Sequence, residues 1–267
     1  MLPILLQFGP LNIYTYGAMI ALGGGLGFWF LHSRSKSMGF SKDEHYWLFV
    51  NLVLLCGAIG GRILHLIEYV PFSSPDFWAQ AFSFKTGFSV LGAYLGAGLG
   101  TFFLCRRLGL GFLRVWDHFS MILPLWHFFG RLGCLGAGCC FGRPADVPWA
   151  VVYASVPGTL VDPELLGVPL HPTQLYEALP ELLLVPVLFF ALFRPMERGA
   201  VKPGYLSAAY TALYCVIRFF NEFYRADAVP LAGLGISAAQ ALCLAYVAAA
   251  VSLIAWLRSR PDVPGHP

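Results

Sequence analysis

Seven long apolar stretches, at roughly 13–31, 46–69, 89–105, 115–129, 178–193, 204–223 and 235–257, dominate this chain of 267 residues. About 20 mostly apolar residues are what an α-helix needs to cross a bilayer, and only helices and closed barrels satisfy their backbone polar groups in lipid. The third, fourth and fifth stretches are short, and the fourth blends into a polar, glycine-rich segment. No run shows the period-2 alternation of a barrel strand. Only 12% of residues are charged while 58% are apolar, against about 25% charged in ordinary soluble chains. These numbers exclude a soluble globular enzyme, a disordered chain and a secreted disulfide scaffold. The net charge of +3 is too small for nucleic-acid binding, and seven cysteines cannot all pair. The expected fold is an all-α polytopic membrane protein: one membrane domain over 1–267, about seven transmembrane helices and a small extracytoplasmic head region.

Loop charges give an orientation. Arg34, Lys36, Lys42, Arg106, Arg107, Arg114, Arg194, Arg198, Lys202, Arg258 and Arg260 fall on one side, and Lys85, Arg131, Arg143 and Arg225 on the other. The C-terminus is therefore expected in the cytoplasm and, with seven spans, the N-terminus outside. The start, Met1 to Leu11, is uncharged and carries no pattern of a cleavable signal peptide. Residues 70–88 hold Pro71, Phe72, Pro75, Phe77 and Trp78, a composition suited to an arm in the membrane interface. Residues 130–177 are the longest connection and are expected to form the head. The tail from 258 to 267 reads as disordered.

Ionisable groups at membrane depth are costly and mark function by default. Arg62 follows Gly60-Gly61, with His65 and Tyr69 on the same helical face; Arg218, Glu222 and Arg225 recur at i, i+4 and i+7; Arg131 sits in Gly130-Arg131-Leu132-Gly133 just past the fourth stretch. One account is structural pairing within the bundle. The other follows from three Arg clusters without equal acid cover, which call for an anion. Guanidinium forks bind phosphate in bidentate fashion, and the abundant membrane anion is a phospholipid headgroup. Gly57, Gly60, Gly61, Gly92, Gly96, Gly98 and Gly100 read as helix packing. Gly130, Gly133, Gly136, Gly138 and Gly142 are too dense for a stable helix and suggest a loop whose backbone approaches a ligand, such as a phosphate.

The motifs Tyr14-Thr15-Tyr16-Gly17, Gly60-Gly61-Arg62-Ile63, Gly130-Arg131-Leu132-Gly133, His171-Pro172-Thr173-Gln174-Leu175-Tyr176-Glu177 and Arg218-Phe219-Phe220-Asn221-Glu222-Phe223-Tyr224-Arg225 resemble, in this order, the bacterial prolipoprotein diacylglyceryl transferase family. The resemblance implies an enzyme of the inner (plasma) membrane. Its reaction moves the diacylglyceryl group of phosphatidylglycerol to the thiol of a lipobox cysteine in the signal peptide of a preprolipoprotein, releasing glycerol phosphate. Neither metal nor other cofactor is needed. It implies catalytic roles for Arg131, Arg218 and Glu222. It places Tyr16, Arg62, Gly133, Gly142, His171 and Arg225 at the substrates, among membrane lipids. The residue types suit the chemistry, because a leaving phosphate needs positive charge and a thiol, with pKa near 8.5, needs deprotonation.

Three positions depart from the family pattern. In Gly87-Phe88-Ser89-Val90-Leu91-Gly92-Ala93, Leu91 stands where the family has His, and Cys134 and Cys139 stand where it has Asn and Glu. Leucine moves no proton. Another group takes that role (His65, His118, His127 and His171 are available), or the same donor serves a different acceptor, or the chain binds or transports phospholipid without turnover. The segment Cys134-Leu135-Gly136-Ala137-Gly138-Cys139-Cys140 admits a disulfide or plain packing, a metal site lacking an obvious fourth ligand, or a reactive thiol near Arg131 acting as a covalent lipid carrier. Cys56, Cys105, Cys215 and Cys243 read as small apolar filler.

Overall fold

The protein is described by a computed structural model covering residues 2–9, 11–70, 74, 77–81, 87–231 and 235–260. A short antiparallel hairpin, β1 (Ile4–Phe8) and β2 (Leu11–Tyr14), leads into α1 (Thr15–Ser33). Then follow α2 (Asp43–Tyr69), the short α3 (Phe77–Ala81), α4 (Val90–Leu108) and α5 (Phe112–Ala137). Beyond α5, β3 (Val151–Val152) pairs with β4 (Pro169–Leu170). Next, α6 (Thr173–Leu188) continues through a wide π turn at Phe189–Phe193 into α7 (Arg194–Glu197). The last helices are α8 (Tyr205–Glu222) and α9 (Ala238–Ser259).

The seven apolar stretches thus each become a helix among the described residues. Three stretches of helix, Asp43–Tyr69, Thr173–Glu197 and Ala238–Ser259, are long and apolar enough by themselves to cross a membrane. The protein is a helical membrane protein. Its outer surface agrees: Leu55, Ile59, Ile63 and Ile67 recur every fourth residue on α2 and are all more than half exposed, a stripe that only lipid would cover at no cost.

Two helix pairs pack by close backbone approach. On α2 and α4, Gly60 faces Gly92 and Gly96, and Gly96 lies against the carbonyl of Cys56. On α1 and α5, which run antiparallel, a methyl group on Gly27 would stand 2.9 Å from Ile122, and one on Gly133 would stand 3.0 Å from Tyr16 Cα. These contacts correct one expectation. Residues 130–137 are helical rather than a loop, so Arg131, Gly133 and Cys134 belong to the last turns of α5. Glycine costs a helix about 1 kcal/mol relative to alanine. Here Gly133 and Gly136 let α1 come close, with Thr15 Cγ2 only 2.9 Å from the place a Gly136 methyl would take. Tertiary packing outweighs propensity, and the helix ends at Gly138, whose φ of +76° is a left-handed cap.

The connection between α5 and α6 forms a small head with its own apolar cluster of Phe141, Tyr153, Val161 and Leu170. Of the interfacial arm expected at 70–88, most residues, including Pro71, Phe72 and Pro75, lie outside the described residues. The exposed Trp78 belongs to α3. Helix α9 runs on to Ser259, into the tail expected to be disordered, and Arg260 stacks on Trp256 at 4.0 Å; residues 261–267 lie outside the described residues.

The end of the bundle that carries most basic residues is closed by matched charges. Glu197 pairs with Arg34 and with His118 Nε2 at 3.2 Å. The buried Asp117 carboxylate accepts from the backbone N–H groups of Gly204 at 2.6 Å and Ser207 at 2.8 Å, capping α8. His118 lies thirteen residues before Arg131, about 20 Å along α5, so it is a structural residue.

Gly60→Ala or Gly96→Ala would drive a methyl group into facing backbone, and each is expected to cost about 1–3 kcal/mol. Gly25, with nothing within 4 Å, is expected to accept alanine without loss. Thermal unfolding in detergent micelles reads the difference.

Candidate active site

At the other end, four helix termini and the head bring one set of polar residues together. Arg131 and Cys134 come from the end of α5, and Thr173, Gln174 and Glu177 from the first turns of α6. Arg218, Asn221 and Glu222 come from the end of α8, and Ser237 and Gln240 from the start of α9. Tyr16, in the first turn of α1, lies against Gly133.

Glu177, 1% exposed, is the centre. It forms an ion pair with Arg131, lies 3.6 Å from Arg218 Nη1 and accepts from Asn221 Nδ2 at 2.7 Å. Arg218 Nη1 also meets Glu222 one turn on at 2.6 Å. Glu222 in turn accepts from Ser237 Oγ at 2.7 Å and lies 3.7 Å from Arg225 Nε. Ser237 and Gln240 form a capping box that fixes the start of α9, and Gln240 Nε2 reaches back to Phe219 O at 3.2 Å. Arg225 is not a further turn of α8, which ends at Glu222. It sits in the turn beyond, held bidentately by Asp227 at 2.8 and 2.6 Å.

This arrangement corrects the expectation of arginines without acid cover. Arg131, Arg218 and Arg225 converge, but each meets a carboxylate. Removing a charge from water costs several kcal/mol unless it is paired, so buried guanidinium groups at membrane depth need these acids. The pairing is partial in one respect. Arg131 uses Nη2 and Arg218 uses Nη1 for these contacts, and among the described residues no acceptor meets the remaining nitrogens of either fork. The acids aim the guanidinium groups and leave donors over.

Around this centre the head is pinned at several points. Gly142 N donates to His171 O at 2.9 Å, and Arg143 N to Tyr224 O at 2.8 Å. A methyl group on Gly142 would stand 2.5 Å from His171 Cβ and 2.7 Å from Tyr224 O, so only glycine fits. His171 Nδ1 bonds Tyr176 Oη at 2.9 Å, and its ring packs edge-on to Tyr224. His171 therefore holds the head to α6 and α8. Arg62 donates from Nη1 to Gly87 O at 2.8 Å, tying α2 to the start of α4, and His65 stacks on Tyr69 at 4.8 Å. Leu91 is buried, its carbonyl accepting from Tyr246. One turn below Arg131, His127 bonds Tyr210 Oη at 2.7 Å and lies 3.9 Å from the fully buried Glu181. A cavity of about 160 Å³ adjoins Glu222, Arg143, Ser237 and Gln240, and a larger apolar one of about 430 Å³ lies among Tyr94, Leu99, Trp116 and Tyr246.

All three cysteines of the segment are free thiols, and their sulfur atoms lie within 4.8 Å of one another. Thr173 Oγ1 and Gln174 Nε2 hold the carbonyls of Cys140 and Cys139 at 2.6 and 2.8 Å. Cys140 has a φ of +59°, alone among the described non-glycine residues in that region. Hydrogen bonds from Cys134 and Cys139, then the charges of Arg225 and Arg131, hold the Cys140 thiol well below its usual range.

The profile of the prolipoprotein diacylglyceryl transferase family matches residues 3–256. The chain belongs to that family. It is 32% identical over 229 residues to the phosphatidylglycerol–prolipoprotein diacylglyceryl transferase of Clostridium tetani, covering 85% of this chain and 86% of that one. It is 31% identical to the protein so named from Ectopseudomonas mendocina (98% and 96% covered) and 33% identical to that from Aromatoleum aromaticum (97% and 96% covered). The sequence motifs pointed to the arginines but gave Glu177, which ends the His-Pro-Thr-Gln-Leu-Tyr-Glu motif, no role of its own. They also passed over Asn221, Asp227, Ser237 and Gln240. The Ser-x-x-Gln spacing of the last two was a readable cap signal.

Glu177→Ala leaves Arg131 and Arg218 without their shared partner, and is expected to lower stability by about 3–5 kcal/mol. Asp227→Asn, at a half-exposed position, should cost under about 1 kcal/mol. Denaturant unfolding of the two variants in micelles checks this.

Proposed function

We propose that this member of the family transfers the diacylglyceryl group of phosphatidylglycerol to the thiol of a lipobox cysteine in a preprolipoprotein, releasing glycerol phosphate. The observation that carries the reading is the convergence of Arg131 and Arg218 on one carboxylate with fork nitrogens to spare. A phosphodiester between the two forks would receive bidentate bonds, and the same donors stabilise the charge that grows as the glycerol C–O bond breaks. Glu177 and Glu222 position the guanidinium groups. The headgroup lies at this end of the bundle with the acyl chains along apolar helix surfaces, and Tyr16, Gly142 and Arg225 border the place where donor and acceptor meet.

Loop charge supports seven crossings of the bacterial inner membrane with the N-terminus periplasmic and the C-terminus cytoplasmic. In that orientation the site faces the outer leaflet, where the acceptor peptide emerges. Arg131→Ala and Arg218→Ala are each expected to lower transfer by about 10²–10³-fold. The assay uses purified protein, phosphatidylglycerol with a labelled glycerol backbone and a lipobox peptide. Wild-type rates in either variant would remove that arginine from the mechanism, and no thioether product from the wild type would remove the reading.

A further inference from the structure

Transfer to a thiol poses a chemical problem that the arginines do not solve. They assist the leaving phosphate, whereas the acceptor thiol, with pKa near 8.5, must also lose its proton. We propose that Cys134, Cys139 and Cys140 form a three-thiolate seat for a zinc ion, whose fourth position receives the acceptor cysteine. The proposal rests on the reading of the chain as a transferase to a thiol.

Three observations carry it. The three sulfur atoms lie within 4.8 Å of one another. Sulfurs around a tetrahedral zinc, with bonds of about 2.3 Å, stand about 3.8 Å apart, so small rotamer changes close the set. The backbone that presents them is fixed: Gly138 ends α5 in a left-handed cap, Cys140 holds a φ of +59°, and Gln174 and Thr173 grip the carbonyls of Cys139 and Cys140. A residue held in so sparsely populated a conformation marks a position that the surroundings over-determine. Cys139 and Cys140 are only half-buried while Cys134 is buried, so the trio has a closed back and an approachable front.

Three protein ligands with one open position is the pattern of a reactive rather than a purely structural zinc site, and a thiol that coordinates a metal is deprotonated. The step balances without a further reactant. The acceptor sulfur binds as thiolate and attacks the glycerol carbon, the C–S bond forms and the C–O bond to phosphorus breaks. The departing glycerol phosphate leaves with the electron pair and takes up the proton that the thiol gave.

The test uses the full-length protein, reduced and purified in detergent micelles, with zinc and cobalt(II) as probes. Mass-spectrometric metal analysis after desalting should find about one zinc per chain. The cobalt protein should show thiolate-to-metal charge transfer. Cys139→Ser and Cys140→Ser should each lose the ion and keep the wild-type unfolding temperature of the metal-free protein, while Cys56→Ser and Cys105→Ser should retain it. A lipobox peptide with cysteine should shift the cobalt spectrum and one with serine should not. Chelation should lower transfer by about 10²-fold, restored by zinc. Absence of a stoichiometric ion, a disulfide among the three cysteines in protein isolated without reductant, or a cobalt spectrum indifferent to the cysteine peptide would each overturn the proposal. Full transfer by metal-free protein would overturn it and leave the transferase reading standing. A peptide-responsive metal with no product from any phospholipid would uphold the site and overturn the transferase reading.

Discussion

Sharing of two buried carboxylates among three guanidinium groups is the constraint on which the rest depends. Glu177 and Glu222, both under 4% exposed, meet Arg131, Arg218 and Arg225 from three directions. At such depth an isolated charge is prohibitive, and a carboxylate gripped bidentately by every guanidinium would leave no donor over. Sharing resolves the conflict. Arg131 and Arg218 are each stabilised enough to be buried and neither has its fork filled, whereas Asp227 fills the fork of Arg225. The supports follow from it: Asn221 donates to one oxygen of Glu177 and Ser237 to one oxygen of Glu222, and Ser237 also caps α9. Loss of that cap would loosen both the helix and the acid.

The two ends of the bundle make the contrast plain. Where Arg34 meets Glu197, which also meets His118, and Asp117 accepts two backbone N–H groups, the polar contacts tie elements together. Around Glu177, they point guanidinium groups and stop short of using them up. The same residue types thus meet at both ends, and burial tells the two apart: the Arg34 side chain is 41% exposed, whereas those of Arg131 and Arg218 are 13% and 10% exposed.

That burial could not be read from the amino-acid order. Periodicity and length located the helices to within a few residues, because apolar runs at membrane depth admit little else. The motifs located Arg131 and Arg218. What failed was local: glycine density suggested a loop at 130–137, and only the partner helix, with Thr15 and Tyr16 filling the space that side chains would need, explains why α5 continues. Acid cover failed for a similar reason. Glu177 lies 46 residues from Arg131 in the chain, yet the antiparallel course of α5 and α6 brings them into contact. Charge balance in a membrane site is a property of layers, not of neighbours in sequence.

The cysteine trio has to be judged against the same electrostatic frame. A covalent lipid carrier would first accept the diacylglyceryl group as a thioether and then surrender it. Surrender means expelling a thiolate from carbon, and the arginines are placed to stabilise a departing phosphate, an assistance realised only in the transition state of the first displacement. A carrier would therefore be loaded and trapped. A disulfide would leave one of three clustered thiols over and contribute no proton acceptor for the incoming thiol. Zinc coordination is the remaining arrangement that uses all three sulfurs, tolerates the neighbouring positive charge and meets the chemical need.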